Sequence, residues 1–288
     1  MSSIPAVATK PAGSTGAESR YYTRFTPADR FMHAVLVVTF LGLAATGLCL
    51  RFSAAGWSVS FASAVGGFSA ILFFHKLCAV LLTIDFGAHV VDIGYKTIVK
   101  KQWGLLWGPN SMVPRLKDLQ DFVGQLKWLV FMGPKPKFDR YTYWEKLDYW
   151  GVFWGMAIIG ISGYAMWFSG LFAKLIPGSW LNIALLIHGE EALLAIGWIF
   201  VIHFFNEHLR PHNFPMDVSI FTGSQTEEEY RERHPEEYAR ELAKGGLDRF
   251  RTAAPPSWAT PVSRLFGGMA VVIGVLLIVF TAVAFTRY

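Results

Sequence analysis

Five stretches of roughly twenty apolar residues dominate this chain: Phe31–Leu50, about Gly67–Val91, Leu147–Phe168, Leu181–Phe205 and Leu265–Phe285. A helix rises about 1.5 Å per residue, so about 20 residues cross a hydrocarbon core of ~30 Å. Inside hydrocarbon, only a helix or a closed barrel satisfies its own backbone hydrogen bonds. No strand-like alternation and no P-loop pattern competes with the helical reading. The expected fold is an all-α integral membrane protein. Only 16% of the residues are charged and the mean hydropathy is +0.35. Soluble domains carry about a quarter charged residues, so an ordinary soluble enzyme and a disordered chain are both excluded.

The charges set an expected orientation. The segment before the first stretch holds Lys10, Arg20, Arg24 and Arg30. Ten Lys and Arg lie between the second and third stretches, within 92–146, and eight lie between the fourth and fifth, from Arg210 to Arg264. The opposite side holds only Arg51, Lys174 and Arg287. The positive-inside rule then puts the N-terminus in the cytoplasm and the C-terminus outside. The basic balance of +5 serves the membrane lipid rather than nucleic acid. Residues 1–29 read as a flexible tail, because they are rich in Pro, Ser, Gly and Thr. Val113–Phe131 has apolar residues at helical spacing and reads as an interfacial amphipathic helix. Thr226–Lys244 reads as a solvated charged helix within a cytoplasmic segment spanning 206–263.

Five of the eight histidines lie in the apolar stretches: His33, His75, His89, His188 and His203. His208, His212 and His234 fall in polar sequence and are not expected to act as ligands. Ionisable groups in a bilayer are costly and mark function. His75 and His188 share a depth in the outer half, while His33, His89 and His203 share one near the inner surface. His75 to His89 is 14 residues and His188 to His203 is 15. At about 100° per residue each pair keeps roughly to one helix face, with partners ~21–23 Å apart along the axis. Two facing helices would present one His–His clamp near each membrane surface. A plate-like haem with two imidazole ligands fits such a clamp, and bundle cores are where such cofactors sit. Cys49 and Cys78 are too few for a Cys-rich metal site, and no C-x-x-C-H is present for covalent haem attachment. Gly42, Ala44, Ala45 and Gly47, Gly151, Gly155, Gly160 and Gly163, and Gly189 and Gly197 are permissive of a macrocycle and equally of close helix packing.

Other charged groups lie near these histidines. Lys76 would pair with a haem propionate or with Glu190 or Glu191. Asp85 would either support the His89 imidazole or pack as a neutral carboxyl. Arg24 and Arg30 would hold propionates or serve only the charge bias.

Several stretches together resemble the membrane cytochrome b subunit of respiratory formate dehydrogenases, within the broader bacterial b561-type and nickel–iron hydrogenase cytochromes b. They are ADRFMHAVLVVTFLGLAATG, FHKLCAV, KLDYWGVFWGMAIIGISGYAMW, LLIHGEEALLAIGWIFVIH and ERHPEEYAREL, in order along about residues 21–245. The resemblance implies a four-helix bundle over 30–205 that holds two b haems, here followed by a fifth helix within 264–288. It implies His75 and His188 as ligands of the outer haem and His33 and His203 as ligands of the inner one, with Lys76 and Arg30 nearby. It also implies a quinone site, for menaquinone or ubiquinone, at Tyr141, Trp144 and Lys146, where helix three begins. The partner it implies is an extracytoplasmic iron–sulfur or multihaem redox subunit, so the chain alone would not act on the primary substrate. The 14/15 spacing also resembles the cytochrome b of quinol:cytochrome c oxidoreductases, in which two helices supply all four ligands. His89 is therefore the alternative to His33. The rival readings are a haem-free proton or metal transporter and a structural membrane anchor. The transporter predicts a broken mid-membrane helix, and the His-bearing stretches contain no proline.

Overall fold

The computed structural model describes residues 19–211 and 213–287. The chain opens with a short strand, β1 (Tyr21–Thr23), before α1 (Pro27–Arg51). Thr26 starts α1 sharply. Its side chain accepts from the Asp29 N–H, the Asp29 carboxylate accepts from the Thr26 N–H, and Pro27 occupies the first helical position. A short α2 (Gly56–Val65) then leads to α3 (Phe68–Gly94), which continues through a π turn to Val99. The amphipathic α4 spans Leu116–Leu129. Next come α5 (Tyr143–Gly155), a π turn (Met156–Gly160), α6 (Ile161–Trp167) and the single turn α7 (Ser169–Phe172). Helix α8 (Ser179–Gly197) runs on through two π turns to Leu209. After the turn α9 (Ser219–Thr222) come β2 (Ser224–Thr226), α10 (Glu227–Arg233), α11 (Pro235–Ala243), β3 (Arg251–Thr252) and α12 (Ala259–Arg287).

Among the described residues, four helical runs are long and apolar enough to cross a membrane: Pro27–Arg51, Phe68–Val99, Ser179–Leu209 and Ala259–Thr286. The expected span Leu147–Phe168 is helical from α5 through α6, yet it falls outside these four. Trp150, Trp154, Trp167, Tyr164 and its glycines dilute its apolarity. The buried core joins Ala44 and Leu48 of α1 to Ile196, Phe200 and Phe204 of the α8 run and to Ala270 and Leu277 of α12. Trp57 stacks on Phe280 with ring centres 5.3 Å apart. The C-terminal helix is thus part of the packed body. Large apolar side chains such as Ile84, Leu185, Leu194 and Val272 face outward, as lipid-covered surfaces require.

Two expectations about the polar segments are corrected. Within the described part of the supposed tail, β1 is ordered: it pairs antiparallel with both β2 and β3, with Tyr22 opposite Gln225 and Arg251. Tyr22 packs on Tyr230 and Tyr238. The 226–244 segment is not a simple solvated helix either. It is two helices whose Glu237 and Glu241 are buried. Arg140 donates to Glu237 at 2.8 Å, and Arg24 donates to the Arg140 carbonyl at 2.6 Å and to Glu145 at 3.1 Å. Arg240 donates to Asp139 at 2.6 Å. These partners lie about a hundred residues apart, so a local reading of charge could not pair them.

His234 lies inside this charged cap, with Nδ1 2.9 Å from the Asp139 carbonyl. Burial, and then the guanidiniums of Arg24, Arg140 and Arg233, hold its pKa well below 6.5. The folded cap keeps this imidazole neutral, while the unfolded chain takes up a proton below about pH 6.5. Cap stability from this group is therefore flat above pH 6.5 and falls as the pH drops below it, by roughly 1.4 kcal/mol per unit at most. Thermal unfolding in detergent is expected to show that acid slope, and His234→Gln is expected to flatten it. Equal slopes in the two proteins would remove His234 as its source.

Helix α4 buries Asp118 and Gln125 and turns Leu119, Phe122 and Leu126 outward. Lys146, 1% exposed, reaches Asp118 at 2.9 Å and ties α4 to α5.

Candidate functional site

His75 of α3 and His188 of α8 face each other with ring centres 6.3 Å apart and planes at 70°. Their outward nitrogens are each engaged. His75 Nδ1 lies 2.9 Å from Thr46 Oγ1, whose own hydrogen is donated to the Gly42 carbonyl at 2.6 Å. Thr46 therefore accepts from His75 Nδ1–H. His188 Nδ1 lies 2.9 Å from the Ile159 carbonyl, which can only accept. Both imidazoles are thereby set as Nδ1–H tautomers, with the Nε2 lone pair left for a ligand. An imidazole nitrogen binds a metal at about 2 Å, so two imidazoles on opposite sides of one metal have ring centres roughly 6 Å apart. The observed separation meets that requirement.

Glycine makes the close approach possible at two positions. A Cβ on Gly163 would lie 2.9 Å from His188 Cε1, and one on Gly47 would lie 3.2 Å from His75 Cε1. Gly42 instead meets the Cys78 sulfur, and Gly151 and Gly197 face open space.

The second cluster lies toward the other end of α1 and α8. His203 Nδ1 is 3.0 Å from the Asp148 carboxylate, which also accepts from Trp198 Nε1 at 2.6 Å. His203 thus has the same tautomer, with Nε2 available. His33 and His208 both lie within electrostatic reach of His203. The Nδ1 atoms of His33 and His208 are buried without a hydrogen-bond partner. His208, set aside on sequence, therefore belongs to this cluster. His212 lies outside the described residues. His89 differs from the rest: its Nε2, the ligating atom elsewhere, lies 3.0 Å from the Tyr149 hydroxyl.

The flanking charges are arranged otherwise than expected. Lys76 does not pair with Glu190 or Glu191; its ammonium sits 4.9 Å from the Trp167 ring centre. Glu190 pairs with Arg51 at 2.7 Å, and Glu191 accepts from Trp154 Nε1 at 3.1 Å. Asp85 makes no hydrogen bond to His89 among the described residues; Tyr149 takes that place. Arg30 Nε donates to the Phe221 carbonyl at 2.7 Å, and Arg24 is committed to the charged cap. The three residues expected to hold quinone are each engaged elsewhere. Tyr141 lies under Arg24 and Arg140, Trp144 under Arg210 at 3.9 Å, and Lys146 is neutralised by Asp118.

The partners Thr46, Asp148 and Tyr149 were not singled out on sequence. Hydroxyl and carboxyl residues inside apolar stretches were the available signal. Another signal is visible only in the backbone. The π turn Met156–Gly160 carries the Ile159 carbonyl, and the π turn Trp198–His203 carries His203. Such turns open the hydrogen-bond ladder and recur at functional sites.

Among the described residues, no group of three or more His, Cys, Asp or Glu is arranged to hold a metal ion. Two imidazoles suffice for haem, whose macrocycle supplies the remaining ligands. No protein-family model matches the sequence, and no curated protein matches it.

Proposed function

We propose that this chain is a b-type cytochrome with two haems, embedded in the membrane. In this reading it transfers electrons between an extracytoplasmic redox subunit and the quinone pool. The observation that carries the reading is the His75–His188 pair: facing rings 6.3 Å apart, with both Nδ1 atoms engaged and glycine behind each ring. His33 and His203 are assigned to the inner haem, since His203 is oriented by Asp148 and His33 is buried with an unpartnered nitrogen. His89 is not assigned as a ligand, because Tyr149 engages its Nε2. Haem b held by these histidines would supply a reversible one-electron couple.

The chain's own residues do the rest. Thr46, the Ile159 carbonyl and Asp148 hold the imidazoles in the ligating tautomer. Gly47 and Gly163 let the rings sit against backbone. The apolar packing of α1, α8 and α12 keeps water out. The helical run of α5 and α6 is read as a further span, since it carries Asp148, Ile159 and Gly163 to the two sites. The excess of Lys and Arg supports a cytoplasmic charged cap and an outer C-terminus, and the resemblance to bacterial cytochromes b supports a bacterial inner membrane. The transporter reading gains no support from α3, which runs unbroken past His75 and His89.

A dithionite-reduced minus oxidised spectrum with a pyridine haemochrome count tests the proposal. Two b haems per chain are expected, and none in protein made with ample haem would end it. Gly163→Leu is expected to leave one haem per chain, because the side chain fills the space of the His188 ring. Gly151→Leu, where a Cβ meets open space, is expected to keep both.

A further inference from the structure

The His89–Tyr149 pair is an intramembrane polar contact that the two histidine clusters leave unused. His89 Nε2 and the Tyr149 hydroxyl are 3.0 Å apart, bridging α3 and α5. Aromatic rings surround them. The Phe153 ring centre is 5.1 Å from that of Tyr149 and 6.4 Å from that of His89, and Phe86 lies 4.9 Å from Phe153. Trp150, 41% exposed, opens the cluster to the bilayer, and its ring lies 5.1 Å from Phe153. His89 is within electrostatic reach of Asp29, one helical turn before His33, so the pair stands at the depth of the inner cluster. Asp92, one turn further along α3, is part-exposed and pairs with Lys96 at 2.6 Å. Asp92 and Lys96 are within electrostatic reach of His89 on the side of the polar surface.

A flat, apolar ring with two carbonyl oxygens, dissolved in the bilayer, matches this arrangement. The imidazole N–H and phenol O–H, 3.0 Å apart, converge on one carbonyl oxygen, the aromatic rings stack on the headgroup, and the open side admits an isoprenoid tail. We propose that His89 and Tyr149 form the quinone-binding contact, holding one carbonyl oxygen of the headgroup. This rests on the two-haem reading and replaces Tyr141, Trp144 and Lys146 as the quinone contacts. Haem b held at the histidine clusters would supply the electrons exchanged with a quinone bound here.

The test uses the full chain in nanodiscs with a decyl-tailed azidoquinone photolabel and a decyl quinol. Photolabelling is expected on α3 and α5 peptides around His89 and Tyr149. Tyr149→Phe removes one hydroxyl and His89→Gln the imidazole. Each is expected to weaken decyl quinone binding about tenfold, the effect of one lost hydrogen bond in a dry site, and to slow quinol-driven haem reduction at least as much. Both variants are expected to retain two haems. Loss of a haem in His89→Gln would make His89 a ligand and overturn the proposal. Binding and reduction within twofold of wild type in Tyr149→Phe, or labelling confined to Tyr141–Lys146, would overturn it too. Absence of haem in the wild type is a different result: it ends the two-haem reading itself, and the photolabel pattern still reports whether a quinone binds here.

Discussion

Replacing His75 or His188 by alanine is expected to leave one haem per chain, and a redox titration that shows two waves in the wild type is expected to show one. His33→Ala and His203→Ala are expected to remove the other wave. His75→Ala combined with His203→Ala is expected to bind no haem. On the two-haem proposal the effect is large, because each assigned imidazole would be one of the two that hold its haem. The rings of His75 and His188 already stand at the separation that a shared iron requires. His89→Ala and His208→Ala are expected to keep both waves. That contrast matters, because His208 lies in the inner cluster with an unpartnered nitrogen, as His33 does. If His208→Ala loses the wave that His33→Ala retains, the inner ligands are His203 and His208.

The second large effect concerns stability. Lys146 and Asp118 form an ion pair in which the lysine is 1% exposed and the aspartate 9%. Removing one partner of a buried pair leaves an uncompensated charge, which costs about 3–5 kcal/mol. Asp118→Asn is therefore expected to lower the unfolding temperature in detergent by roughly 10 °C. Lys146→Met together with Asp118→Leu is expected to restore most of it, since well-packed apolar residues replace such pairs at little net change. The contact also fixes the outward-facing α4 against α5. Protease cleavage near the exposed Phe131 is expected to accelerate in Asp118→Asn and to return toward wild type in the double variant. An unchanged melting temperature in Asp118→Asn would show that the pair carries little of the fold's stability.

Elements with a local cause were legible in the sequence. The expected apolar stretch Phe31–Leu50 lies within the observed span Pro27–Arg51, and Leu265–Phe285 within Ala259–Thr286. A membrane helix closes its own backbone hydrogen bonds, so its length follows from apolar content alone. The amphipathic segment expected at Val113–Phe131 is the helix Leu116–Leu129. Its spacing encodes one outward apolar face. The stretch Leu147–Phe168 shows the limit of that rule. It is helical as far as Trp167, but tryptophan and glycine weaken the signal where the helix carries polar partners for its neighbours.

Residue types and depths came from the sequence by itself: histidines at two levels of the apolar helices, and a basic majority on one side. Tertiary structure decided who meets whom. It placed Asp148 on His203, Tyr149 on His89, Arg51 rather than Lys76 on Glu190, and Tyr22 in a sheet with residues two hundred positions away. A periodic pattern records the face on which a side chain sits. The partner it meets depends on the rotation and axial shift of one helix against another, and those are set by packing across many residues at once.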